Sequence, residues 1–306
     1  MADPEATSSA QHPRAAVDGL TIDHVILTRF NLPSVGPESL IRAQDGWLQN
    51  RIELFERYTV PSVRRQSAPR SFSWLIFFDQ ESPQWLIDRL APLVELGVFT
   101  PVYGEQFTNE AVVEHAQRLT GAHGELLLTT TLDNDDAIAA DFAERVQRLA
   151  ARGRATAIYL ENGIILSGGS AFLRHDPHNA FVSVAEPWDD AKTVWRDWHN
   201  RLHQYMAVRT EGGRPGWLQV VHGRNVSNRV RGKLVDPVTF QPDFPGHLEQ
   251  VSSPSRSAVA YDRLVRIPIR ESRETVRRVG KNLLLATVGK NGLDRVKETV
   301  QWRRRG

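Results

Sequence analysis

The first 150 residues alternate between short apolar runs and segments with helical spacing. His24-Val25-Ile26-Leu27-Thr28-Arg29-Phe30 reads as a buried strand that runs into a loop over 31–37. Apolar residues at 47, 48, 52 and 55 mark one face of a helix, and Pro61 is its expected stop. Ser73-Trp74-Leu75-Ile76-Phe77-Phe78-Asp79 is an apolar run ending in an acid, the pattern of a parallel strand covered on both faces. Further helices are predicted over 84–96, 109–119 and 141–151, and strands over 99–103 and 126–132. This βαβα order predicts a mostly parallel sheet flanked by helices. Such sheets bind ligands at the carboxyl ends of their strands, which is where Arg29, Asp79 and Asp133 fall.

The pattern changes after Arg154. The runs 157–160 and 164–166 flank Glu161-Asn162-Gly163, which reads as a hairpin turn, and 181–185 and 217–221 read as further short strands. This half is therefore expected to be a less regular α+β part. No internal repeat is visible. The stretch 236–257, rich in Pro and Ser, reads as a linker or a wrapping loop. From 270 to 288 a basic helix is predicted, with Ile269, Val276, Val279, Leu283 and Ala286 on one stripe and Arg273, Arg277, Arg278 and Lys281 around it.

Composition narrows the class. The 306 residues are 41% hydrophobic and 24% charged, as in ordinary globular proteins. The absence of cysteine excludes disulfides and thiolate metal sites and fits a reducing compartment. No apolar run reaches the ~20 residues that span a bilayer. Residues 1–19 lack the basic start and apolar core of a secretory signal and read as a disordered leader. The net charge of +2 is unevenly spread. Residues 270–306 hold eleven Lys and Arg against four Asp and Glu, a local +7 that leaves −5 on the remainder. A basic tail on an acidic body points to a partner of its own for the tail.

The most informative segment is Leu126-Leu127-Leu128-Thr129-Thr130-Thr131-Leu132-Asp133-Asn134-Asp135-Asp136. An apolar strand ends in three carboxylates within four residues. Carboxylates that close repel one another, and a divalent cation removes the penalty. Mg²⁺ and Mn²⁺ take carboxylate oxygens and keep room for water and phosphate, so the site would hold a diphosphate and stabilise its departure. The competing reading is a solvated loop or helix N-cap, with Asp136 capping the helix that follows.

The segment from Glu125 to Ile138 resembles the strand and DXD motif of GT-A glycosyltransferases. The ordered set Thr28 to Asn31, Trp47 to Pro61, Trp74 to Asp79, Leu132 to Ile138 and Gln219 to Arg229 resembles the family of rhamnosyltransferases, over roughly residues 22–235. One departure is Thr131, where that family is expected to carry Arg. The resemblance implies an α/β GT-A fold: a single Rossmann-like mixed sheet flanked by helices, of the nucleotide-diphospho-sugar transferase type, with a C-terminal helical tail. It implies a domain plan of a leader (1–20), a catalytic domain (21–250, divided into a nucleotide-binding half, 21–153, and an acceptor half, 154–250), and a linker with a basic tail (251–306). It also implies roles. Asp133 would face ribose or metal, Asp135 would bind metal, and Asp136 would be a further ligand or a supporting group. Asp79 and the segment Thr28 to Asn31 match nucleotide contacts, with Arg29 meeting base or phosphate.

Five later features extend the set. His222 follows an apolar strand, which is more often a structural place for His, yet GT-A folds often put a late His there that completes the metal shell or touches the diphosphate. Arg224, Arg229 and Arg231 follow, suited to phosphate or to solvent alone. Gly168-Gly169 reads either as a plain turn or as a place where backbone approaches the donor. Glu186 is the expected general base, drawing the proton from the acceptor hydroxyl, while Asp189 and Asp190 suit a cap before a helix over 191–203. Trp188, Trp195, Trp198 and Trp217 could stack on a sugar, although core packing is the commoner role.

The expected activity is transfer of a sugar, rhamnose if the family is a guide, from a nucleotide-sugar to a saccharide or glycolipid acceptor, with inversion and with Mn²⁺ or Mg²⁺. Such an enzyme would serve cell-envelope, polysaccharide or glycolipid synthesis. The alternatives are a metal-dependent nucleotidyltransferase or phosphohydrolase, and a non-catalytic sugar- or membrane-binding protein. The tail, 264–306, either meets an anionic membrane or packs on the body, so the expected location is cytoplasmic, peripheral on the inner face of the membrane. With no binding motif beside the basic tail, nucleic acid is not an expected partner.

Overall fold

The computed structural model describes residues 15–33, 46–67, 71–222 and 230–270. The chain divides into one large unit, 1–253, and a second, 254–306.

The large unit is a mixed α/β structure. Its principal sheet has eight strands, with β1 (Ala15–Val17), β2 (Leu20–Arg29), β3 (Ser73–Asp79), β4 (Thr100–Gly104), β5 (Leu126–Thr131), β7 (Thr156–Leu160), β10 (Ser183–Glu186) and β11 (Ala207–Glu211). The order is β11-β7-β10-β5-β2-β3-β4, with β1 paired to β2. Strands β5, β2, β3 and β4 run parallel, and β10 runs antiparallel between β5 and β7. The central strands are buried almost throughout, as parallel strands covered on both faces must be. The expected leader is corrected at its described end: β1 pairs with β2 from Ala15 onwards, so the ordered fold begins before residue 21.

Helix α1 (Trp47–Leu54) does not stop at Pro61. It widens into a π turn over Phe55–Thr59 and continues as α2 (Val60–Arg64), with Pro61 in the new first turn. A proline has no N–H to donate and its ring crowds the carbonyl four residues back, so it is tolerated where the ladder has already been reset. Helices α3 (Gln84–Glu95), α4 (Asn109–Thr120) and α5 (Phe142–Leu149) fall where the apolar period predicts them. The helix expected over 191–203 is instead two short 3₁₀ turns, Val194–Arg196 and His199–Gln204.

A second sheet of five strands stands beside the first, where one sheet was expected. It comprises β6 (Ala137–Ile138), β8 (Asn162–Ser167), β9 (Ser170–His175), β12 (Trp217–Val221) and β13 (Lys233–Val235), in the order β13-β9-β8-β12-β6. The predicted hairpin about 161–163 is not formed. Strands β7 and β8 belong to different sheets, and the chain changes sheet across Glu161. The reason is packing. Gly163 lies under the indole of Trp217, and a Cβ there would come within 2.0 Å of the ring. Trp217 also donates from Nε1 to the Leu160 carbonyl at 2.9 Å and stacks on Phe181 at 5.2 Å between centroids. The true hairpin is β8–β9, turned by Gly168 and Gly169 at φ +55° and +72°, the left-handed pair a two-residue turn requires.

Each sheet has its own core. Val25, Leu27, Leu75, Phe77, Tyr159 and Val184 centre one cluster. Ala137, Ile164, Leu218, Val220, Phe244 and Leu248 centre the other. The stretch from 236 is therefore a wrapping segment rather than a linker, with Phe244 and Leu248 fully buried. In the second unit, α6 (Arg256–Tyr261) runs into a π turn, Asp262–Arg266. The stripe predicted over 270–288 lies outside the described residues beyond Arg270.

Candidate active site

Parallel strands β2, β3 and β5 end at the same edge of the principal sheet. Register pairs Arg29 with Phe77, and Leu27 with Thr131, so Arg29, Asp79 and Asp133 all project from the carboxyl edge. A cavity of about 650 Å³ opens beside them, lined by Arg29, Thr131, Asp133 and Trp195, among others. The Arg29 guanidinium lies 4.4 Å from the centre of the Trp195 ring, and Trp195 Nε1 donates to Thr131 Oγ1 at 3.4 Å.

The four residues after Leu132 divide sharply by environment. Asp133 is exposed, while Asn134, Asp135 and Asp136 are buried. Asn134 donates to the Phe30 carbonyl at 2.6 Å and accepts from Arg51 at 3.1 Å. Asp135 Oδ2 forms an ion pair with Arg51 Nη1 and stands 3.1 Å from His222 Nε2. Burial alone would raise its pKa, but the hydrogen bond from His222 and the charge of Arg51 outweigh burial and hold the carboxyl below its usual range. Asp136 goes the other way. Burial, then the charges of Asp135 and Asp133, push it well above the carboxylate range. Its Oδ1 accepts from Val220 N at 2.8 Å, and Oδ2 has no hydrogen-bond partner among the described residues. Asp136 is thus a buried acid that ties the turn to β12. It caps no helix, because α5 starts at Phe142 with Asp141 before it.

Arg51 was not among the residues singled out in the sequence. It lies on α1, which closes over the acidic turn, and packs 5.2 Å from the centre of the Trp47 ring. The available signal was the cluster itself: a buried carboxylate demands a cation, and an arginine on a neighbouring helix satisfies it.

The structure brings together two of the three residues expected to hold metal. Asp135 and His222 converge, and Asp133 faces the cavity. Among the described residues no group of three or more His, Cys, Asp or Glu is arranged to hold a metal ion. The donor set therefore does not form a protein cage. Asp135 Oδ2 and His222 Nε2 face each other; a carboxylate and an imidazole are residue types that can ligate Mn²⁺, and such an ion would complete its shell from phosphate and water.

Other expected residues are placed differently. Thr28 is fully buried, and its Oγ1 accepts from Trp74 Nε1 at 2.9 Å, so its hydroxyl serves the core rather than a nucleotide. Asp79 Oδ1 accepts from Glu81 N at 2.9 Å and its own N–H donates to Asn31, which shapes the loop at the strand end. Gly168 and Gly169 are accounted for by the β8–β9 turn, and a Cβ on either would meet open space. Arg224 and Arg229 lie outside the described residues, and Arg231 lines the cavity.

Glu186 is not brought to this edge. Strand β10 is antiparallel to β5, and Glu186 pairs with Leu127, near the start of β5. Six residues separate Leu127 from Asp133, roughly 20 Å at the rise of a strand. Its carboxylate accepts from Lys192 N at 3.2 Å and Thr193 N at 2.8 Å. Burial nonetheless raises its pKa, with the two N–H bonds opposing. The antiparallel direction of β10 is what sequence order alone did not reveal.

The described residues form a mixed α/β fold with a cavity at the carboxyl edge of the principal sheet. The family model described as "Putative rhamnosyl transferase" matches residues 23–234, and the chain belongs to that family. Solved structures with similarity include S. aureus TarS, at 10% identity and a TM-score of 0.41 over 65% of this chain and 37% of that one. Residues 1–349 of TarS in complex with UDP give 10% identity and a TM-score of 0.40, over 65% of this chain and 60% of that one. A 4-diphosphocytidyl-2C-methyl-D-erythritolsynthase from Anaerococcus prevotii gives 14% identity and 0.35, over 68% and 91%. The chain thus spans less than two thirds of the TarS chains it matches. No curated protein matches the sequence. Among the described residues no helix is long and apolar enough to cross a membrane.

Proposed function

We propose that the chain transfers a sugar from a nucleotide-sugar to an acceptor hydroxyl, with rhamnose as the sugar its family points to and inversion as the outcome. The carrying observation is that Arg29 and Asp133 line one cavity at the carboxyl edge, and that Asp135, two residues on from Asp133 in the same acidic turn, is paired with His222. The nucleotide lies along the ends of β2 and β3, with Arg29 toward its base or phosphates and Asp133 toward its ribose. Asp135 and His222 would hold a Mn²⁺ or Mg²⁺ ion, which supplies positive charge to the departing diphosphate. Arg51 and Asn134 keep Asp135 in place, and Asp136 fixes the turn against β12.

The acceptor is a saccharide, free or carried on a lipid. The basic tail would bring the enzyme to an anionic cytoplasmic membrane surface, and flotation on anionic vesicles with and without 264–306 tests that part. The donor reading is tested by thermal shift of the full chain with a panel of nucleoside diphosphates and Mn²⁺ or Mg²⁺. Ligands that bind only the folded state raise its apparent stability. The expected result is a metal-dependent rise for at least one nucleotide, and no rise across the panel contradicts the proposal.

A further inference from the structure

The cavity that Asp133 lines is also lined by Asp197, Trp198 and His199, to which the donor reading assigns no role. On the footing of the transfer reaction proposed above, we infer that Asp197 and Trp198 form the acceptor subsite. In this reading Trp198 stacks on a pyranose ring, and Asp197 is the base that takes the proton of the attacking hydroxyl.

The path of the chain puts them there. After β10 reaches the far end of the sheet at Glu186, the chain turns and climbs back along β5. Val194 N donates to Thr129 Oγ1 at 2.8 Å, and Trp195 Nε1 then reaches Thr131. The next residues, Asp197, Trp198 and His199, arrive at the cavity that Asp133 lines. The carboxylate that sequence order assigned to Glu186 is thus supplied by the returning segment, eleven residues later.

Trp198 is 72% exposed, whereas Trp217 in the same cavity is 2% exposed and belongs to the core. Its indole face is therefore open to stack on a ligand in the cavity. A flat indole suits the C–H face of a pyranose, while Asp176 and Arg174, which also line the cavity, offer polar partners to ring hydroxyls.

The segment is held rather than loose. Asp197 Oδ1 accepts from Trp198 N at 2.7 Å, and Oδ2 accepts from Tyr205 Oη at 2.9 Å. The first bond and then the second lower the pKa of Asp197, which keeps it an acceptor at neutral pH. His199 Nδ1 donates to the His178 carbonyl at 2.6 Å. Each carboxylate oxygen has a further lone pair for the substrate. In the step, the hydroxyl proton passes to Asp197 and the hydroxyl oxygen bonds to the anomeric carbon. The bond from that carbon to the diphosphate breaks, and its electron pair leaves with the nucleoside diphosphate.

Asp176 is the rival carboxylate in the cavity. It accepts from His178 N at 3.3 Å and faces Arg174 at 3.4 Å. The test compares D197N, D197E, D176N, W198A and W198F in the full chain, using free oligosaccharides and the same glycans on a lipid carrier. D197N is expected to lose at least 100-fold in kcat with acceptor KM within threefold, and D197E to restore part of the rate. W198A is expected to raise acceptor KM at least tenfold on free and lipid-linked glycans alike, with W198F intermediate. A kcat for D197N within threefold of wild type, a larger kcat loss in D176N, or a W198A penalty confined to lipid-linked acceptors overturns the assignment. Thermal shift by nucleoside diphosphates separates the two readings. If the shift persists in all five variants while Asp197 and Trp198 prove dispensable, the subsite fails and the donor site stands. If wild type shows no shift, the donor reading falls and the subsite with it.

Discussion

Arg51 Nη1 is paired with Asp135 Oδ2 beneath the Trp47 ring, so a buried carboxylate in the acidic turn is neutralised from a helix about 80 residues earlier in the chain. Removing one partner of a buried pair leaves the other uncompensated, at a cost of about 3–5 kcal/mol. Arg51→Met is therefore expected to lower the unfolding free energy by an amount of that order. Millimolar Mn²⁺ should restore part of it without nucleotide, because a cation bound at Asp135 would replace the charge of the lost guanidinium. Denaturant unfolding with and without Mn²⁺ checks both points. A variant as stable as wild type, with no response to Mn²⁺, speaks against the site as described.

Glu186→Gln should separate structure from chemistry. The carboxylate receives two backbone N–H bonds at the far end of β5. Weakening them is expected to cost about 1–2 kcal/mol. Transfer rate under stabilising conditions should stay within threefold of wild type. A loss of 100-fold or more in kcat with the fold intact would return Glu186 to the reaction.

The two glycine sites predict opposite magnitudes. Gly168→Ala forces an alanine to φ near +55°, a strain of about 1 kcal/mol, with open space around its methyl. Nucleotide affinity should be unchanged within twofold, and a tenfold loss would restore a donor contact. Gly163→Ala drives a methyl into the Trp217 ring. Overpacking of that kind costs about 1–3 kcal/mol or more, and a drop in Tm of several degrees is expected by calorimetry.

His24 sets a pH dependence of stability. It is fully buried, with Gln147 Nε2 at 3.0 Å from Nδ1 and Thr130 Oγ1 at 2.9 Å from Nε2, and burial lowers its pKa from 6.5 to about 3. The unfolded chain therefore binds a proton below pH 6.5 that the folded chain refuses. Stability from this group is complete above pH 6.5, falls as pH drops, and levels off near pH 3. The slope is at most about 1.4 kcal/mol per pH unit. Urea unfolding of wild type and His24→Gln from pH 7 to 4 should show a shallower fall in the variant, and parallel curves would contradict the assignment.

Much of this was legible in the sequence where local pattern and tertiary role coincide. The run at 73–79 ended in an acid and the run at 126–132 was followed by one, so both the parallel strands and the carboxyl edge followed from them. The failures share one cause, which is direction and partnership across the chain. Nothing local distinguishes an antiparallel β10 from a parallel one, yet that direction moved Glu186 to the wrong end. Nothing local shows that β7 and β8 part into different sheets; the cue was Gly163, which only the Trp217 ring explains. Thr28 looked available because it neighbours Arg29, but strand alternation turns its hydroxyl toward Trp74. Arg51 was silent because a cation on an amphipathic helix is usually solvated.

The central claim is transfer of a sugar from a nucleotide-sugar. Its most direct measurement incubates the full chain with nucleotide-sugars, including rhamnose donors, a glycan acceptor and Mn²⁺ or Mg²⁺, and follows both products. The account predicts nucleoside diphosphate and an acceptor heavier by one sugar, in equal amounts. Release of pyrophosphate or free phosphate, with no sugar reaching the acceptor, would contradict it and assign the edge to phosphoryl chemistry instead.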